Sequence, residues 1–90
     1  MDAPPVIYLE AWKLTQPETA WPRLCQTFGL AEGEEPRLEA LRERLAQGEA
    51  LGVVLIGGDL LRRESWGKRL LGALTQAANE NSKLHLVFRD

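Results

Sequence analysis

Leu51-Gly52-Val53-Val54-Leu55-Ile56, closed by Gly57-Gly58-Asp59, is the stretch on which the fold turns. Its apolar residues run without alternation, the pattern of a strand covered on both faces in a parallel sheet. The glycine pair and the aspartate that follow are turn-formers and end it. Upstream, Leu38, Leu41 and Leu45 recur at helical spacing, with Pro36 where a first helical residue is favoured and Gly48 as a stop. Before that helix, Trp21, Leu24, Cys25 and Phe28 form a second helical stripe that ends at Gly29. Pro22 is tolerated only in a first turn, so this helix is expected to begin at about Thr19 to Trp21. Val6 to Trp12, rich in β-branched and aromatic residues after Pro4-Pro5, reads as the first strand. Downstream, Leu70, Leu71, Leu74, Ala77 and Ala78 share a helix face with Ser65 as candidate cap, and Leu84 to Phe88 reads as the last strand. The order is β-α-α-β-α-β, an α/β fold with a three-stranded parallel sheet, helices packed against it and right-handed crossovers.

Ninety residues hold one core, so a single domain over residues 1–90 is expected. With 44% apolar and 27% charged residues the composition is that of an ordinary globular domain. Cys25 is the single cysteine and His85 the single histidine. No internal disulfide is available, no metal site is expected and no cofactor is implied. The N-terminus lacks the basic start and apolar run of a signal peptide, and the longest apolar run, Val53 to Ile56, is far short of the ~20 residues that cross a bilayer. These features point to a cytoplasmic protein without a membrane partner. The net charge of −2 gives no reason to expect nucleic-acid binding. Charge is unevenly spread: Met1 to Glu49 carries nine acidic and five basic residues, Ala50 to Asp90 four acidic and six basic.

The acidic excess gathers at Glu32, Glu34 and Glu35 and on the helix that follows. At 100° per residue, Glu39, Glu43 and Ala46 lie on one face of that helix, with Arg42 and Glu35 at its edge and the leucines pointing to the core. Two carboxylates one turn apart repel by roughly 0.2–0.5 kcal/mol, of which Arg42 relieves part. An ordinary solvated helix face has the same spacing. Gly57-Gly58-Asp59 stands at the end of a buried strand, where open α/β sheets bind ligands, but lacks a phosphate-binding glycine pattern. His85 has no acid-base partner nearby in sequence, Cys25 falls on an apolar face and Ser65 has no activating neighbour, so no enzyme is indicated. Arg62 and Arg63 with Lys68 and Arg69 form a second, basic patch.

Gln26-Thr27-Phe28-Gly29-Leu30, a short acidic loop, and Leu38-Glu39-Ala40-Leu41-Arg42-Glu43-Arg44-Leu45 together resemble the core signature of the barstar family of ribonuclease inhibitors. That signature is a leucine, an acidic loop and a Leu-Asp-Ala/Ser-Leu-Trp-Asp helix. The resemblance implies a barstar-like fold and an inhibitor whose loop and helix block the active site of a ribonuclease or related toxin with a basic cleft. It matches Glu39 and Glu43 to the family's two inhibitory aspartates, each one methylene longer. Gln76 falls where barstar has a further contact glutamate, Arg42 replaces a tryptophan, and Gly33 stands where barstar has a tyrosine. The implied partner surface is Glu32, Gly33, Glu34, Glu35, Glu39, Arg42, Glu43, Ala46 and Gln76, with Arg42 tuning partner choice and the free chain a monomer. The alternative is an adaptor that keeps the barstar fold without nuclease inhibition and uses the Arg62 to Arg69 region on an acidic partner. A small-ligand site at Gly57 to Asp59 is a third possibility.

Overall fold

The computed structural model describes residues 4–30 and 37–89. Over them the chain forms β1 (Val6–Glu10), α1 (Pro17–Phe28), α2 (Leu38–Ala46), β2 (Leu51–Ile56), α3 (Ser65–Glu80) and β3 (Leu84–Arg89), in the expected β-α-α-β-α-β order. Two 3-10 segments that sequence patterning did not separate from their surroundings, Ala11–Lys13 and Gly58–Arg63, follow β1 and β2. The strands form one parallel sheet in the order β1-β2-β3. No helix among the described residues is long and apolar enough to cross a membrane.

That strand order dictates the layering. Both crossovers step in the same direction, and right-handed crossovers that keep stepping one way put every helix on the same side of the sheet. The two-residue alternation of each strand then divides the side chains. Leu9, Val53, Leu55 and Leu84 are buried beneath the helices. On the opposite face Val6, Tyr8 and Val87 are 53%, 61% and 47% exposed. Contrary to the expectation from its unbroken apolar run, β2 is therefore covered on one face only among the described residues. Val54 and Ile56, on its outer face, are half-buried.

The helix ends also depart from the sequence reading. Pro17 occupies the first turn of α1, and Pro22 lies inside the helix, well past the position expected for it. The cost of its missing N–H is offset by the tertiary burial of Ala20, Trp21, Leu24, Cys25 and Phe28 on the same helix. Gly29, at φ 69° and ψ 37°, caps α1 in the left-handed conformation, and the Leu30 N–H donates back to Cys25 O at 2.9 Å. Ser65 is the first residue of α3 and not its cap: Glu64 is the N-cap and makes no side-chain capping hydrogen bond. The buried stripe of α3 is Trp66, Gly67, Leu70, Ala73, Leu74 and Ala77, so Leu71 and Ala78 fall to its half-buried edges. The Trp66 indole N–H donates to Leu14 O at 3.0 Å and ties α3 to the segment after β1.

Leu41 is fully buried, with Leu38 and Leu45 beside it in the core. Leu41→Ala should cost about 2–5 kcal/mol in urea unfolding, the usual range for a buried leucine. A loss below about 1 kcal/mol would mean that α2 turns another face to the core.

Candidate functional site

Three leucines fix the rotation of α2, and that rotation decides what the helix offers to solvent. With Leu38, Leu41 and Leu45 turned inward, Glu39 and Glu43 stand one turn apart on the outward side, and both are exposed. Glu39 lies in the first turn, where the positive end of the helix dipole favours a carboxylate.

The flanks of α2 are pinned. Arg42 Nη1 donates to both carboxylate oxygens of Glu80 on α3, at 3.0 and 2.8 Å. On the other flank Arg44 Nε donates to Phe28 O, in the last turn of α1, at 3.2 Å. At the C-terminal end the Asn81 amide donates to Leu45 O at 3.0 Å and to Gly48 O at 3.3 Å, while its oxygen accepts from the Lys83 N–H at 3.0 Å. Asn81 is 9% exposed and every one of these contacts serves a backbone group. Asn81→Ala leaves the Leu45 and Gly48 carbonyls without this donor and should cost about 1–3 kcal/mol in chemical denaturation. An unchanged midpoint would show that water replaces the amide without loss.

Arg42 was expected to relieve the repulsion between Glu39 and Glu43. Its guanidinium is instead paired with Glu80, and Glu39 and Glu43 make no ion pair among the described residues. Gln76 is exposed one turn before Glu80 and so on the same flank of α3, which places it beside the Arg42 bridge. Ala46 is half-buried against the core and offers only an edge. Glu32, Gly33, Glu34 and Glu35 lie outside the described residues. Sequence reasoning missed Glu80 and Asn81. Glu80 follows Gln76 at helical spacing, which was the available signal for its flank, but nothing in the sequence pairs it with Arg42.

The other candidate sites are less organised. Ligands of open α/β sheets collect where the strand order reverses, and the order β1-β2-β3 has no reversal. At the Gly57 to Asp59 turn the Gly57 N–H already donates to Arg89 O at 2.7 Å, and Asp59 accepts from Arg62 at 3.1 Å. The recess beside them holds about 220 Å³. A larger cleft of about 640 Å³ opens at the opposite end of the sheet, between Ile7, Gly29, Arg44 and Gly48. Of the basic patch, Arg62 is paired with Asp59. Lys68 and Arg69 leave α3 100° apart, toward different flanks. His85 is exposed on β3. Among the described residues no three His, Cys, Asp or Glu side chains are grouped as metal ligands.

No family model, no curated protein and no solved structure matches the chain.

Proposed function

We propose that the chain is a barstar-like inhibitor that presents Glu39 and Glu43 to the basic cleft of a ribonuclease or related toxin. The observation that carries this reading is the pinned acidic ridge of α2. Its two carboxylates are exposed on a helix held on both flanks and at its end, and Arg42 on that helix is already paired with Glu80. A pinned helix loses little backbone freedom on binding, so more of its contact energy appears as affinity. Exposed carboxylates also favour encounter with a basic partner. Gln76 adds a neutral hydrogen-bonding group beside the ridge. Arg42 acts on partner choice indirectly, by holding α2 against α3.

Capture from a native lysate on the immobilised chain, followed by elution with salt, tests this reading. A basic nuclease released by a few tenths molar salt is the expected outcome, since pairing between exposed charges weakens with ionic strength. Retention of an acidic protein, lost on Arg62→Glu/Arg63→Glu, would favour the adaptor reading instead.

A further inference from the structure

The face of the sheet turned away from the helices carries a row that the register sets side by side: Tyr8 opposite Val54, and Val54 opposite Val87. Above it the row is Glu10, Ile56 and Arg89, and below it Val6, Gly52 and His85. The apolar middle therefore has an acidic corner on one edge strand and a basic corner, at the same height, on the other. Glu10 gives one carboxylate oxygen to Lys13, at 3.2 Å in an exposed pair, and its second oxygen makes no ion pair among the described residues. Exposed pairs at this spacing hold weakly and exchange readily. Arg89 has no ion-pair partner among the described residues.

We propose that this open face binds a second copy of the chain, sheet against sheet, about a two-fold axis running along β2. Such an axis keeps every residue at its own height and exchanges the two edge strands. Glu10 then faces Arg89 of the other copy twice over, Tyr8 faces Val87, and Val54 packs on Val54. A two-fold axis across the strands would instead set Glu10 against Val6 and leave both charges unpaired. Aligned packing of this kind is the ordinary way for two sheets to meet, and a two-fold interface is self-complementary by construction. The face is small, about 14 Å across three strands and about 17 Å along them. That falls well short of the ~800 Å² per partner of a stable complex, so the dimer is weak and forms only at high protein concentration. At low concentration the chain is then the monomer expected from the sequence. The helices lie on the far side of the sheet, so both acidic ridges stay open. The proposal does not depend on what those ridges bind.

Sedimentation velocity over micromolar to millimolar concentrations tests it. Wild type should shift from monomer toward dimer as concentration rises. Tyr8→Lys should abolish the shift, with circular dichroism confirming a fold that an exposed residue does not support. Glu10→Arg and Arg89→Glu should each weaken dimerisation about tenfold or more, because each sets like charges against one another twice. An equimolar mixture of these two variants should form a heterodimer at least as tight as wild type, since both pairs are then opposite in sign. A wild type that stays monomeric at millimolar concentration, or a mixture no tighter than its components, would overturn the proposal.

Discussion

Gly67→Val is expected to lower stability by about 1–3 kcal/mol or more, whereas Gly72→Ala in the same helix should raise it by about 0.5–1 kcal/mol. The two glycines differ in what surrounds them. A Cβ at Gly67 would overlap the backbone of Leu61, including its carbonyl oxygen and Cα. Backbone cannot rotate aside as a side-chain tip can, so α3 would have to lift from the 3-10 segment that follows β2. That shift would open the packing of Leu61 and Trp66, both buried in the one core. Valine adds a branch to the clash and a strained rotamer to the helix. Overpacking alone costs about 1–3 kcal/mol and occasionally more, and a domain of this size has only about 5–15 kcal/mol in hand. Gly72 faces solvent with nothing within 4 Å of an added Cβ, so alanine there only removes freedom from the unfolded chain. Circular dichroism and urea unfolding of both variants would check the pair of signs. A folded Gly67→Val variant with a native midpoint would mean that α3 approaches Leu61 less closely than described.

The element order and the face of α2 were legible because each rests on short-range periodicity. Three leucines at helical spacing specify one rotation of one helix, and Glu39 and Glu43 follow from it without knowledge of anything distant. The covering of β2 was not legible. An unbroken apolar run is compatible with burial on one face or two, and strand order, which decides between them, is a property of the whole chain. The Arg42 to Glu80 bridge spans 38 residues and depends on how α2 and α3 meet. Asn81 is one of several polar residues after a helical stretch in the sequence, which gives no sign that its amide closes the end of a different helix. Gly67 carries no sign in the sequence of its role, because close approach of another backbone leaves no mark in local sequence. Pro22 shows the converse, a local rule overridden by burial of the residues around it.

Reversing both charges of the ridge, Glu39→Lys with Glu43→Lys, is expected to abolish partner binding and leave the fold in place. Both residues are exposed, so no packing is lost. One like-charge pair replaces another, and a cation at position 39 also repels Arg42 three residues on, by roughly 0.2–0.5 kcal/mol. A lysine in the first turn opposes the helix dipole by roughly 0.3–1 kcal/mol, and one nearer the C-terminal end recovers part of that. Stability should therefore fall by no more than about 1 kcal/mol. Binding responds differently because cations in the partner's cleft lose water on contact. Carboxylates compensate that loss, and lysines add repulsion to it, for a total of several kcal/mol. Titration calorimetry against the captured partner measures the difference, with thermal unfolding as the control. Binding that survives the reversal would remove α2 from the interface.

Titration of ribonuclease activity tests whether the chain inhibits such an enzyme through Glu39 and Glu43. A panel of basic-cleft ribonucleases would be assayed on RNA with increasing amounts of the wild-type chain and of the Glu39→Lys/Glu43→Lys variant. At least one enzyme should lose activity in proportion to added wild-type chain, reaching its floor near one chain per enzyme. The variant should leave that enzyme active at many-fold excess. Activity unaffected by wild type across the panel, or inhibited equally by both chains, would contradict inhibition through these two residues.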